Sequence, residues 1–254
     1  MQDVFPPIYA FVELKNESPI GYVMLSDVGT PVNKDMVNSF GHVVGIFESV
    51  MRKMLILLPY SSYISDLKLE NVIKYNNDYY LIDFGSICNL KSYNTCVVSY
   101  TNKNVGNDTN MIKHMNVAIF VLFTTLMSYL EKKDNKCYQS YKHFNTTVED
   151  NCNNFYDEIK KSALLPQTEP SKTHALSLIN KIIEIRDKAP YNTLDDLGND
   201  LKILVEMCQN YLFSTQQQGG RLNDYKLKKY LYKLSFGNKN KEHVYKQKIS
   251  RYHN

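Results

Sequence analysis

The run Ser65-Asp66-Leu67-Lys68-Leu69-Glu70-Asn71 sets an acid, a lysine and an amide at neighbouring positions, and Asp83-Phe84-Gly85 supplies another acid a short distance on. Transfer of a phosphoryl group needs these residue types: a carboxylate to receive a hydroxyl proton, a cation beside the transferring phosphate, and oxygen ligands for a magnesium ion. Asp83-Phe84-Gly85 alone is a weak signal, because three residues recur by chance; the companion motif gives it weight. Other chemistries are less well served. The six histidines show no H-x-x-x-H spacing, and Cys88, Cys96, Cys137, Cys152 and Cys208 never form a C-x-x-C pair. Neither a structural metal nor a disulfide framework is expected.

The elements that must hold these residues are read from periodicity. The β-rich runs Ile8-Tyr9-Ala10-Phe11-Val12 and Gly21-Tyr22-Val23-Met24-Leu25 flank Asn16-Glu17-Ser18-Pro19, which predicts a hairpin over Tyr9–Asp27. Phe40, Val43, Val44, Phe47, Val50, Met51, Met54, Leu55 and Leu58 then recur at three- and four-residue steps, which predicts a long buried helix capped at Asn38-Ser39 and stopped by Pro59. A second hairpin, Asn71–Tyr75 and Tyr79–Ile82 around Asn76-Asn77-Asp78, stands between the two motifs. From residue 111 the chain reads as helical. Met111–Leu130 is apolar enough to be buried nearly all round, and amphipathic stretches follow near Val148–Leu165, Lys172–Asp187 and Leu194–Phe213. With 254 residues, 43% apolar and 22% charged, the composition is ordinary for a globular chain. The expected fold class is α+β, mainly α.

Two motifs, a hairpin between them and a long apolar helix before them resemble, in that order, the catalytic loop and metal-binding motif of eukaryotic-type protein kinases, D-x-K-x-x-N followed by D-F-G. The resemblance spans residues 8–213 and implies a protein-kinase-like large lobe with a residual β-hairpin of the small lobe. It implies Asp66 as the base, Lys68 as the phosphate-side cation, Asn71 and Asp83 as magnesium ligands, and ATP and Mg as cofactors. Leu67-Lys68 is similar to the serine/threonine-type loop. Residues 22–29 resemble the family's fifth strand and hinge, which implies Met24 at the back of the adenine pocket and Leu25 to Asp27 beside the base. Arg186 to Leu197 resembles the loop and helix that close the large lobe. The implied partners are a protein substrate or a partner kinase.

Departures from the family pattern are equally informative. A single hairpin occupies the residues before the hinge, with no G-x-G-x-x-G loop and no place for the strand bearing the ATP-positioning lysine or the helix bearing its glutamate partner. Lys15, the lysine in front of the hinge, is expected to be an exposed turn residue. Ile64-Ser65 stands where the family has His-Arg, so a switch driven by a phosphorylated activation loop is not expected. No proline occurs between Pro59 and Pro166, which removes an A-P-E motif, and Asn192 takes the place of the arginine that pairs with its glutamate. Losing both partners together avoids stranding a buried charge, which costs about 3–5 kcal/mol. The activation segment, 83–108, is short, and Asp108, or His114 in an alternative alignment, is the expected anchor of the catalytic loop. Two readings follow: a serine/threonine kinase completed by a partner chain, or a kinase mimic that regulates a host kinase or its substrate. A third, a structural protein on a degenerate kinase scaffold, is told apart by nucleotide binding. The Asn-, Lys- and Tyr-rich composition and the reduced plan are similar to small kinase-like proteins of large DNA viruses.

Charge is distributed unevenly. Residues 1–215 hold 20 Lys and Arg against 24 Asp and Glu, while residues 216–254 hold 10 against 2. The expected domains are therefore a hairpin and hinge over 1–29, a helical body over 30–215, and a basic tail over 216–254 that begins at the linker Gln216-Gln217-Gln218-Gly219-Gly220. In the tail, Leu227, Tyr230, Leu231 and Leu234 share one helical face flanked by lysines, which fits either an anionic partner or a solvated tail with one packed helix. The longest nearly apolar run, Val117–Met127, falls short of a membrane span, and no leader precedes the hairpin. An intracellular location, cytoplasmic or nuclear, is expected. Deleting residues 216–254 should weaken association with an anionic partner and flatten its salt dependence, with the melting temperature of the 1–215 fragment unchanged; a large drop in melting would place the tail's apolar face in the core.

Overall fold

The computed structural model describes residues 4–6, 8–14, 21–26, 29–83, 87–89, 112, 115–132 and 148–216. The expected first hairpin is present as β1 (Ile8–Leu14) and β2 (Gly21–Ser26), antiparallel, with Phe11 opposite Met24. Its turn, including Lys15, and Asp27 lie outside the described residues. The chain then enters β3 (Thr30–Pro31) through Gly29. A Cβ at Gly29 would stand 2.6 Å from Ile73 Cδ1 and 2.9 Å from the Lys74 carbonyl oxygen, so glycine alone fits this close approach.

Ser39 starts helix α1 (Phe40–Leu57): its hydroxyl accepts from His42 N at 3.2 Å, closing one of the orphan donors of the first turn. Three- and four-residue spacing puts Val43, Val44, Phe47, Val50, Met51 and Met54 in the core. Pro59 falls in a 3-10 turn, and Ser61, left-handed at φ 55, donates its N–H to Leu58 O at 2.8 Å, which ends the helix. The chain turns into β4 (Ser62–Ile64). After a loop come β5 (Val72–Tyr75) and β6 (Asp78–Leu81), joined by the two-residue turn Asn76-Asn77 with Asn76 at φ 53. Asp78, expected in the turn, is instead the first residue of β6, opposite Tyr75. β3 pairs with β5, giving the order β3-β5-β6. β4 pairs antiparallel with β7 (Ile87–Asn89), a ribbon too short to leave a periodic signal in the sequence.

The rest is helical: α2 (Met115–Glu131), α3 (Val148–Lys161), α4 (Ser171–Asp187) and α5 (Leu194–Gln216). The class is α+β, mainly helical. α2 begins later than the expected Met111 and is buried on nearly every side; Thr124 and Ser128 satisfy their hydroxyls by donating to Val121 O and Thr125 O. α1 packs on α5, α2 and β6, and α4 packs on α2 and α5. With no tryptophan in the chain, edge-to-face rings fill the centre, Phe123 meeting Phe40 and Phe47, and Phe40 meeting Tyr211.

Two features depart from the sequence reading. Val4 and Phe5, grouped by sequence with the hairpin, are buried in the helical core, and Leu81 N donates to Val4 O at 3.2 Å, adding the first residues to the β6 edge. Cys88 is disulfide-bonded, although the cysteine spacing led to no expected disulfide framework, whereas Cys208 is free and buried. Residues 217–254, including the linker and tail, lie outside the described residues. No helix among the described residues is long and apolar enough to cross a membrane. Gly29→Ala should destabilise the fold by about 1–3 kcal/mol in chemical denaturation, because neither the Lys74 backbone nor the Ile73 side chain has room to yield.

Candidate active site

β4 delivers the chain into the loop that carries Asp66. Leu67 and Leu69, each 2% exposed, anchor it to the core on either side of Lys68. Lys68 N donates to Asp66 O at 3.0 Å and Asn71 N to Lys68 O at 3.1 Å, so residues 66–71 form a tight turn. These anchors draw Asp66 inward until it is 4% exposed. Lys68 Nζ donates to Asp66 Oδ2 at 2.5 Å. Asn71 Nδ2 donates to Asp66 Oδ2 at 3.1 Å and to Asp66 O at 3.0 Å. Both of those atoms are acceptors, which fixes the amide orientation and leaves Asn71 Oδ1 as the end suited to a cation. Asp66 Oδ1 is buried with no hydrogen-bond partner.

Asp83 joins this group through the backbone. Ile82 N donates to Asn71 O at 2.8 Å, placing Asp83 one residue past the strand position bonded to Asn71. Its φ of 72 is left-handed, a region aspartate enters more readily than most residues but still at a cost, and Asp83 is exposed. The structure therefore brings together Asp66, Lys68 and Asn71 by hydrogen bonds and Asp83 by strand geometry. Met24 and Leu25 lie on β2, opposite Phe11 and Ala10. Asp27, Phe84, Gly85, Asp108 and His114 fall outside the described residues. Among the described residues no group of three or more His, Cys, Asp or Glu side chains gathers as a metal cage.

Sequence reasoning missed a second polar cluster beneath the same hairpin. Lys53, fully buried on α1, donates to Asp78 Oδ2 at 2.8 Å and to Ser49 Oγ at 3.2 Å, and its ammonium stands 4.5 Å from the Tyr80 ring centre. Ser49 Oγ donates to Asp78 Oδ1 at 2.7 Å, and Arg52 reaches both Asp78 oxygens at 3.4 Å. Burial lowers the Lys53 pKa to about 8 despite the pull of Asp78. Burial also works against ionisation of Asp78, but Lys53, Arg52 and Ser49 outweigh it and hold the carboxyl at about 2. The asymmetry is physical: Lys53 has lost all its water, whereas the Asp78 side chain keeps 38% of its exposure. The available signal was a lysine interrupting the apolar face of α1 between Val50 and Met54.

The loop after α4 solves its own buried-charge problem. Asp200, 2% exposed, accepts from Lys188 Nζ at 2.7 and 2.8 Å and from Tyr191 hydroxyl at 2.9 Å. Burial, then the Asp200 charge, pushes the Tyr191 pKa up. Asn116 Nδ2 on α2 donates to the carbonyls of Arg186 and Lys188, tying the loop to the central helix. A shallow cleft of about 350 Å³ opens there, with Asn192 on its wall.

No family model matches the chain, and no curated protein is detectably similar to it. The site is therefore judged on its geometry. One oxygen of a buried carboxylate left without a donor is a stability cost retained at the centre of the constellation. Asp66→Asn should melt within about 1 kcal/mol of wild type or above it in chemical denaturation, because it removes a buried charge of which only one oxygen is satisfied.

Proposed function

We propose that the chain is a reduced serine/threonine protein-kinase-like protein that uses ATP and Mg, with Asp66 as base and Asn71 and Asp83 as the cation-binding residues. The observation that carries this reading is the hydrogen-bonded unit Asp66–Lys68–Asn71, followed across one backbone bond by the exposed Asp83. In a phosphotransfer, the acceptor hydroxyl oxygen bonds to the γ-phosphorus, the bond to the bridging oxygen of ADP breaks, and the hydroxyl proton passes to a base. Asp66 Oδ1 is the atom free to take that proton, while Lys68 and Asn71 hold the other oxygen in place. Lys68 also keeps a positive charge where a phosphate would approach. Asn71 and Asp83 fit magnesium, which commonly takes one or two protein oxygens and completes its shell with phosphate oxygens and waters. The ion would supply neutralisation of the phosphate charge.

The second reading, a kinase mimic that binds a host kinase or its substrate, is favoured by one feature of the sequence. Residues 1–29 carry no glycine-rich loop and no lysine placed to hold the phosphates. Both readings act where ATP and protein acceptors meet, inside cells.

Calorimetry of the 254-residue chain with ATP, with and without Mg²⁺, separates them. The kinase-like reading expects weak, magnesium-dependent binding that Asp83→Asn removes, and phosphotransfer that appears in the presence of a partner kinase and is abolished by the same substitution. Full activity of the Asp83→Asn mixture assigns the chemistry to the partner and this chain to regulation. Binding that ignores both Mg²⁺ and Asp83 sinks the catalytic reading.

A further inference from the structure

The β5–β6 hairpin has two ends with different duties. Its open end carries Asn71, immediately before β5, and Asp83, two residues after β6. Its closed end is pinned to α1 through Asp78. β6 is the edge strand of its sheet; among the described residues, what holds it beyond β5 includes a backbone bond to Val4, its packing on α1 and this pin. Ser49 Oγ also donates to Tyr79 O at 3.1 Å, and Tyr79 N donates to Asp78 Oδ1 at 2.9 Å, so the strand's backbone is fixed together with the side chain.

Stability alone does not account for a lysine at this place. Apolar side chains in place of both Lys53 and Asp78 would fill the same space without the desolvation cost that an ammonium carries, and replacing a whole buried ion pair in this way is commonly neutral or stabilising. An ion pair with hydrogen bonds does what an apolar contact cannot: it holds the strand at one position along the helix. A strand slipped by one residue would turn its side chains to the opposite face and carry Asp83 away from Asn71.

We propose that the Ser49–Lys53–Asp78 clamp is a positioning device for the cation-binding end of the hairpin, setting Asn71 and Asp83 in the arrangement that holds the metal. This rests on the kinase-like reading above and extends it to residues that touch neither metal nor nucleotide. The charged and titratable groups facing Lys53 are Glu48 and Arg52 on α1 and Asp78 and Tyr80 on β6; α5 contributes the neutral Gln209, which donates to Glu48 Oε1 at 3.0 Å. The clamp weakens when Lys53 loses its proton, which burial brings down to about pH 8.

The test uses the full chain with Mn²⁺ and ADP as probes, binding being read by electron paramagnetic resonance between pH 6.5 and 8.5. Wild type is expected to bind in a manner that Asp83→Asn abolishes. Lys53→Met, which keeps the packing and drops the charge, is expected to weaken binding by about tenfold at pH 7 while its melting temperature stays near that of wild type, since Asp78 keeps Arg52, Ser49 and water as partners. Wild-type affinity should decline as the pH passes about 8, and Lys53→Met should be flat over the same range. Should Lys53→Met not fold, Asp78→Asn, which opens the clamp from the hairpin side, is read by its loss of Mn²⁺ binding at pH 7 alone. Binding by Lys53→Met equal to wild type, or an alkaline decline shared by both proteins, overturns the clamp and leaves the kinase-like reading standing. Absence of any Asp83-dependent Mn²⁺ binding overturns that reading, and the clamp's role with it.

Discussion

A charge taken out of water must find its counter-charge close by, and this constraint decides where the elements of the chain can sit. Lys53 is enclosed completely and answers to Asp78, which locks the second hairpin onto α1. Asp66 is drawn in by the leucines on its loop and answers to Lys68. Asp200 lies under the loop after α4 and answers to Lys188. Removing the more exposed member of such a pair strands the buried one, at a cost of about 3–5 kcal/mol, so each pair constrains geometry more strongly than its net contribution to stability would imply.

α1 is where these constraints meet. It packs on α2, α5 and the hairpin strand, and the chain that leaves it makes the left-handed turn at Ser61 that sends β4 toward the loop carrying Asp66. The same helix supplies Ser49, Arg52 and Lys53 to the hairpin whose far end bears Asn71 and Asp83. One rigid element thus sets both halves of the site. The local costs are visible: an unsatisfied oxygen on Asp66 and a left-handed backbone at Asp83. Both fall at residues to which the proposed chemistry gives a role, a pattern that fits a site keeping strain that the surrounding packing can bear.

Much of this was legible in the sequence because it depends on near neighbours. The period of α1, its serine cap, the proline after it and the two hairpins all follow from local rules, and so does the clustering of Asp66, Lys68 and Asn71, which lie within one turn of chain. What was not legible depends on approach through space. Val4 and Phe5 join the core only because β6 offers them an edge. β4 and β7 are three residues each, too short for alternation to register. Lys53 looked like a polar residue on a mostly apolar helix, and its meaning appears only once Asp78 stands opposite. Asp78 itself moved from the expected turn into β6 because a two-residue turn sufficed, with Asn76 taking the left-handed position.

The pairing of Asp200 has a consequence for how this chain can change over time. Its partners, Lys188 and Tyr191, come from the loop directly before α5, so the acid is neutralised by residues a few positions away in the same stretch of chain. That corner of the fold therefore carries much of its own charge balance within one short stretch of chain. A change at Lys188 or Tyr191 that keeps a donor can be absorbed within that stretch, whereas one that removes it leaves the buried Asp200 short of a partner.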